Sequence, residues 1–227
     1  MSRPSDNKRA ALPARPSTRG APPREVRIIG GQWRRSKLPV ADVPGLRPTP
    51  DRVRETLFNW LGQNLDGWRC LDAFAGSGAL GFEAASRGAA EVVLVERDPS
   101  LVRSLRASQQ RLGAASVRVE AADALVFMRR AAPEQFELVF IDPPFDANLF
   151  EPALAAAAAL VVPHGFVYLE ADCEFDDGAL AAHGFRVHRH SRAGAVHFHL
   201  LHKAAAPTRA ETPGYTAAAT PTRGVPS

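Results

Sequence analysis

From Trp68 onward the hydrophobic positions follow two alternating habits. Short, nearly unbroken apolar runs recur: RCLDAFA, EVVLVER, VRVEAAD, FELVFI and GFVYLEA. They are too short for stable helices and read as strands covered on both faces. Between them lie segments with helical spacing or Ala-rich composition: GALGFEAASRG, PSLVRSLRASQQRLG, ALVFMRRAA and LFEPALAAAAALV. The first two predict helices that stop at Gly88 and Gly113. The last piece, GFRVHRHSRAGAVHFHLLHK, predicts two strands around Arg192-Ala193-Gly194. Alternating strands and helices give an α/β fold, a mostly parallel sheet covered on both faces, with an antiparallel hairpin at one edge.

Ahead of this region the pattern is different. EVRIIGGQWRRSKLPV alternates Val26 and Ile28 with Arg27, and Gly30-Gly31 can supply a tight turn, so residues 25–40 predict a β-hairpin. In PTPDRVRETLFNWLG, Thr49 is a candidate N-cap with Pro50 at the first helical position. Val53, Leu57, Trp60 and Leu61 share one helical face; Arg52 falls outside that stripe and Arg54 just beyond its edge. Gly62 is the expected stop. The chain thus divides into a hairpin-and-helix unit over 25–66 and an α/β domain over 67–203. Residues 1–24 and 204–227 are rich in Pro, Arg, Ser, Thr and Ala, too poor in apolar surface to offset chain entropy, and are expected to be disordered. No internal repeat is evident.

Charge sharpens this division. Residues 1–54 carry 13 Lys/Arg against 4 Asp/Glu, while the remainder carries 15 against 20, within a net +4. A basic N-terminal part on an acidic body suits a polyanion. The two cysteines, Cys70 and Cys173, are far apart with no CxxC, and are expected to be structural thiols. No secretory leader is apparent, and the Ala-rich run from Ala153 to Val162 is too short to span a bilayer, so a cytoplasmic protein is expected.

The richest chemistry lies in CLDAFAGSGALGFEAASRG, where Gly76 to Gly81 fits G-x-G-x-x-G. A strand before the loop and a helix after it turn backbone N–H groups toward a ligand. A dinucleotide is one candidate. Asp72 argues against it, because a carboxylate near the strand end repels a pyrophosphate and attracts a cation. S-adenosylmethionine has no phosphates and carries a sulfonium and an ammonium group. Glu96, 20 residues after Gly76, ends the second strand, where it can accept from ribose hydroxyls; Asp123 ends the third, where it can accept from an adenine amino group. DPPF, Asp142 to Phe145, closes the fourth strand. Its prolines stiffen the loop and remove two donors. Asp142 and the Pro143 carbonyl can then accept from an exocyclic amine and aim its lone pair at a methyl carbon, while Phe145 stacks on the base. A base inside a duplex cannot reach such a pocket and has to be unstacked first.

RIIGGQWRRSKLPV, GLRPTPDRVRETLFNWL, CLDAFAGSGALGFEA and DPPF together closely resemble the bacterial ribosomal RNA small-subunit methyltransferase D family, over about residues 25–203. GxG and DPPF are common to many methyltransferases; the hairpin and RPTPDRVRE block are more specific. The resemblance implies a Rossmann-like class I methyltransferase that moves a methyl group from S-adenosylmethionine to N2 of one guanine in 16S rRNA, on the small subunit or an assembly particle. It implies a catalytic loop of Asp142, Pro143, Pro144 and Phe145. It implies a cofactor site of Asp72, Phe74, Gly76, Gly78, Glu96, Asp123 and Ala124. Arg34, Arg35, Arg47, Thr49 and Arg52 are then the RNA-facing or site-lining group, with phosphate contacts from the arginines. A monomer without metal is expected.

Three other readings stay open from the sequence. Enzymes acting on adenine in DNA or on protein glutamine share the (D/N)PP(Y/F) loop. A noncatalytic RNA-binding assembly factor would keep the pocket as a relic. An NAD-dependent oxidoreductase is disfavoured by Asp72 and DPPF. His188, His190, His197, His199 and His202 crowd the last hairpin without a carboxylate or Cys at ligand spacing, so no metal site is assigned to them. Trp33 is equally suited to stack on a base or to anchor the hairpin.

Overall fold

The computed structural model describes residues 25–41, 43, 46, 48–144 and 148–204. The expectations for residues 1–24, for the tail beyond Ala204, and for Arg47 and Phe145 lie outside the described residues. Among the described residues, no helix is long and apolar enough to cross a membrane.

Strands β1 (Glu25–Arg27) and β2 (Lys37–Pro39) pair antiparallel, and helix α1 spans Asp51–Trp60. The α/β part then runs β3 (Arg69–Asp72), α2 (Ala79–Ser86), β4 (Glu91–Glu96), α3 (Pro99–Leu112) and β5 (Val117–Ala121). It continues through α4 (Ala124–Arg130), β6 (Phe136–Ile141), α5 (Phe150–Leu160), β7 (Val161–Ala171), α6 (Asp177–Ala181), β8 (Phe185–Ala193) and β9 (Val196–Lys203). The seven-stranded sheet has the order β5-β4-β3-β6-β7-β9-β8. The first five strands are parallel, and β9 and β8 close the edge antiparallel. This is the sheet expected from the alternation of apolar runs.

Strand alternation divides the core into two layers. Cys70, Leu94, Leu138, Phe140, Tyr168 and Leu200 face one way, and pack with Leu57 and Phe58 of α1 and Leu105 of α3. Leu71, Val93, Val139, Ile141, Val167 and Leu169 face the other way, against Met128 of α4 and Leu154 of α5. The N-terminal unit is therefore part of one core layer: Ile28, Leu38, Val53 and Leu57 are buried in the same cluster as the sheet residues.

The seam between the two parts is polar. Glu83, in the middle of α2, has no exposure, yet its carboxylate accepts four donors. The backbone N–H groups of Ile29 and Gly30 reach it at 2.7 Å each, Arg54 at 3.2 Å and Arg87 at 2.8 Å. Arg54 in turn donates to Asp51 at 2.6 Å and to the Thr49 carbonyl at 3.2 Å. Ser86 adds three bonds, to the amides of Gln32 and Trp33 and to the carbonyl of Gly30.

This seam corrects two expectations. Gly30-Gly31 do not form the hairpin turn, whose loop runs from Ile28 to Ser36 and carries Arg34 and Arg35 beyond the strands. The glycines are needed where that loop presses on the end of α2: a Cβ on Gly31, at φ +72°, would lie 1.7 Å from the Ser86 carbonyl oxygen. Arg54, placed at the edge of the apolar stripe by periodicity, is the largest fully buried side chain. Phe58 joins the buried face while Trp60 is half-buried and stacks on Phe198 at 5.3 Å. Trp33 is half-buried against the same core, which favours its anchoring role. Cys70 is buried in β3 and Cys173 is exposed.

Removing one partner of a buried pair strands the other charge, at a cost of about 3–5 kcal/mol. Arg54→Ala is therefore expected to lower unfolding free energy by about that amount in urea titrations. A loss under about 1 kcal/mol would show that the seam does not stabilise the fold.

Candidate active site

The chain lays down β3, β4 and β5 outward in one direction, then returns to place β6 and β7 on the other side of β3. The order reverses between β3 and β6, which is where open α/β sheets bind ligands. Asp72 ends β3 and Asp142 follows the last residue of β6. In the register, Asp72 lies beside Phe140 and Ile141 beside Leu169, so Asp142 and Glu170 are the next neighbours outward. Asp72, Asp142 and Glu170 thus converge on the face that α1 covers.

The glycine loop is fixed over this end of the sheet. Ala73 N–H donates to the Phe140 carbonyl at 3.1 Å and Ala75 N–H to the Val95 carbonyl at 3.0 Å. Gly78, in the left-handed region at φ +76°, starts α2. Gly81 lets the helix descend onto β3 and β4: its amide donates to Asp72 at 3.0 Å, and a Cβ there would lie 2.1 Å from Leu94. Burial pushes the Asp72 carboxyl up to about 7; the Gly81 amide opposes this, and the charges of Glu96 and Glu170 reinforce it. Asp142 is also raised well above the usual carboxylate range, by burial first, then by Glu170 and Asp72.

Glu96, at the end of β4, accepts the Gly76 amide on one oxygen at 3.0 Å and the Asp98 amide on the other at 2.8 Å. Each oxygen keeps a lone pair for a further donor. Asp123 lies two residues past β5 and caps α4 through the Val126 amide at 3.0 Å. Phe74 is half-buried and Ala124 buried. Asp72, Phe74, Gly76, Gly78 and Glu96 therefore stand along one rim, with Asp123 and Ala124 beyond the neighbouring strand. Pro143 is buried and Pro144 exposed beside them.

The candidate RNA-facing residues separate. Thr49 is buried and is a hydrogen-bond partner of the Glu170 carboxylate, rather than the cap of α1; Pro50 occupies the cap position. Arg52 is exposed on α1. Arg34 and Arg35 are exposed in the loop held by Ser86, at the opposite end of α2 from Gly78. An eight-residue helix is about 12 Å long, so these two arginines do not line the site. A cleft of about 510 Å³ lies at that far end, against Gln32, Gln63, Asn64 and Arg87. It contains none of the rim carboxylates.

Sequence reasoning missed Glu170 and Glu83. Glu170 lies within YLEA, a strand read as apolar; an acid at the carboxyl end of a core strand was the available signal. Glu83 sat inside a helix whose other residues are almost all apolar, and the same contrast marked it. The histidine reading also changes, because the segment after β7 brings a carboxylate to the last hairpin. Glu174 lies 3.4 Å from His190 Nδ1, and His190 Nε2 lies 3.0 Å from His197 Nδ1. His199 stacks on His190 at 4.5 Å and accepts the Phe175 amide at 3.1 Å. Both nitrogens of His190 are engaged within this group.

Comparison with known proteins adds an independent line. Residues 26–202 match the family described as Conserved hypothetical protein 95. Ribosomal RNA small subunit methyltransferase D of Escherichia coli K12 is 42% identical over 184 residues, 80% of this chain and 91% of that protein. Its namesake in Haemophilus influenzae is 44% identical over 153 residues, 65% of this chain and 79% of that one. Among solved structures, a hypothetical protein from Thermus thermophilus superposes with a TM-score of 0.64 at 35% identity, covering 77% of this chain and 98% of that one.

The raised Asp72 carboxyl makes a stability prediction. The folded state keeps a proton that the unfolded chain loses near pH 4, so stability falls as pH rises from about 4 to about 7. At 1.36 kcal/mol per unit, the loss is at most about 4 kcal/mol. Asp72→Asn is expected to flatten this part of the stability–pH curve. A slope equal to wild type would place the raised pKa elsewhere.

Proposed function

This chain belongs to the ribosomal RNA small subunit methyltransferase D family, and from that membership and the rim of acids we propose that it transfers a methyl group from S-adenosylmethionine to the exocyclic N2 of one guanine in 16S rRNA. The observation that carries the reading is the convergence of Asp72, Glu96 and Asp142 at the switch point of the sheet. A ring of carboxylates suits a cationic methyl donor and an amine acceptor, and does not suit a pyrophosphate.

The residues present fit this cofactor. Asp72 would face its ammonium group, Glu96 its ribose hydroxyls and Asp123 its adenine amino group, while the Gly76–Gly78 turn would allow close backbone approach and Phe74 and Ala124 would flank the ring. When bound, it supplies an activated methyl group on a positively charged sulfur. The protein's work is then to position the acceptor. Asp142 and the Pro143 carbonyl accept hydrogen bonds from the guanine amino group, which orients a lone pair otherwise delocalised into the ring. As nitrogen forms its new bond and becomes positive, Asp142 is placed to take the proton it releases. Pro143 and Pro144 limit the freedom of the loop, and Phe145 enters the proposal from the family motif alone.

The substrate is the 30S subunit or an assembly particle, in the cytoplasm, with the guanine unstacked for the reaction. Arg52 would contact phosphates near the site, and Arg34 and Arg35 phosphates farther along the RNA, across the far end of α2; Arg47 enters from the family resemblance alone. The protein acts as a monomer and without a metal.

The test is transfer of labelled methyl to 30S particles and to naked 16S rRNA, followed by nucleoside analysis. Label is expected in N2-methylguanosine, with Asp142→Ala losing about 100-fold or more of the rate while still binding cofactor. Label in a different nucleoside would overturn the proposed acceptor, and near-normal turnover by Asp142→Ala would remove that residue from the mechanism.

A further inference from the structure

Helix α3 has a fixed orientation on the sheet. Leu101, Val102, Leu105 and Ser108 are buried, and Leu105 packs against the start of α2, where a Cβ on Gly78 would lie 2.7 Å from it. The other side exposes Arg103, Arg106, Ala107, Gln110 and Arg111. At 3.6 residues per turn these five positions fall within an arc of about 140°. The helix contains no Asp or Glu, although the chain beyond residue 54 carries 15 Lys/Arg against 20 Asp/Glu. Among the described residues, Arg103, Arg106 and Arg111 form no ion pair. The acid that interacts with Arg103 is Asp98, and its carboxylate is occupied in capping α3 through the amides of Ser100 and Leu101, at 2.7 and 3.1 Å. On the neighbouring edge strand, Glu120 pairs with Arg118, while Val117 and Val119 are the residues that pack in the layer of α3.

Position makes this face a bridge. Asp98 lies two residues after Glu96 and donates its amide to it, so α3 starts at the cofactor rim. The helix then runs back beside α2 in the same core layer, for 14 residues or about 21 Å. In its last turn Arg111 donates to the Lys37 carbonyl of β2. The Lys37 ammonium is itself paired with Glu25 at 2.7 Å. β2 follows directly on the loop that carries Arg34 and Arg35, so the basic face of α3 joins the rim to the two arginines that do not line the site. Arg103 and Arg111, eight residues apart, are separated by about 12 Å along the axis, which matches the length of α2.

Charge of one sign on one helix face carries a cost. Arg103 and Arg106 are neighbours at i, i+3, and like charges at that spacing repel. An acid on the same face would relieve the repulsion, and α3 has none; a polyanion relieves it on binding. All three cations are Arg, whose planar fork matches phosphate oxygens in pairs. We propose that α3 is a track for the RNA backbone: Arg103 and Arg106 bind phosphates of the strand leaving the methyl-transfer site, and Arg111 passes that strand on to Arg34 and Arg35. The inference rests on the proposed rRNA substrate and deepens it, by adding a surface outside the site. Ala107 lets the sugar–phosphate chain lie close to the helix, and Gln110 offers it a neutral donor. Such contacts set the path and register of the RNA and leave the choice of base to the site.

The experiment measures binding of naked 16S rRNA as a function of salt, without cofactor, for wild type and two double variants of equal charge. One is Arg103→Ala with Arg106→Ala; the other is Arg129→Ala with Arg130→Ala, exposed on α4 in the opposite layer. Losing two phosphate contacts on single-stranded RNA is expected to reduce the slope of log affinity against log salt by about 1.4 and to weaken binding about 10-fold near 0.15 M salt. The α4 pair is expected to stay within about 2-fold of wild type, with its slope unchanged. S-adenosylmethionine affinity within about 2-fold of wild type in both variants shows that the fold is intact. An unchanged slope in the α3 pair, or equal losses in the two pairs, would overturn the proposal. The readout needs no turnover, which separates the two readings. A reduced slope with no label in N2-methylguanosine keeps the track and removes the reaction; normal methylation with equal slopes keeps the reaction and removes the track.

Discussion

The buried carboxylate of Glu83 is the joint on which the rest of the arrangement depends. Four donors from three separate places in the chain meet on its two oxygens: the loop after β1, helix α1 and the end of α2 itself. A carboxylate with no exposure has to be matched this fully, because each missing donor leaves charge in a medium that cannot screen it. The match also fixes geometry. With Ile29, Gly30 and Arg54 all referred to one helix, α1 has one position over the sheet, and the Thr49 segment that precedes it is delivered to the ends of β3, β6 and β7.

That delivery explains an unusual division of charge. The N-terminal part is basic and the body acidic, but the two are not a tail and a globule joined loosely. Ile28, Leu38, Val53 and Leu57 belong to the same core as the sheet, so the basic surface is carried on rigid structure. The acids are concentrated where the strands end. Asp72, Asp142 and Glu170 are all pushed above their ordinary range, chiefly by burial, so they cost stability near neutral pH. Such local cost at a site is what a cationic donor and an amine acceptor would offset on binding.

Much of this was legible in the sequence because it is written in local patterns. The strand and helix order followed from run length and period, and the rim acids from their place at strand ends. What escaped was set by tertiary contact. Arg54 looks like an edge-of-stripe cation until Glu83 and Asp51 provide the partners that let it be buried. Gly30-Gly31 looks like a turn until the end of α2 occupies the space of a side chain. Thr49 has the identity and spacing of a helix cap, but Glu170, 121 residues away in the chain, takes its hydroxyl. Arg34 and Arg35 are grouped with Arg47 and Arg52 by the family resemblance, and the length of α2 separates them from the site.

The central physical claim is that the N-terminal unit and the α/β domain form one cooperative body through Glu83. Native-state hydrogen exchange tests it most directly, by comparing the amides of Ile29 and Gly30 with those of Val93 and Leu94 in β4. The account predicts that all four exchange only through global unfolding, with the same free energy and the same dependence on denaturant. Exchange of Ile29 and Gly30 through a low-energy local opening, with β4 still protected, would contradict it.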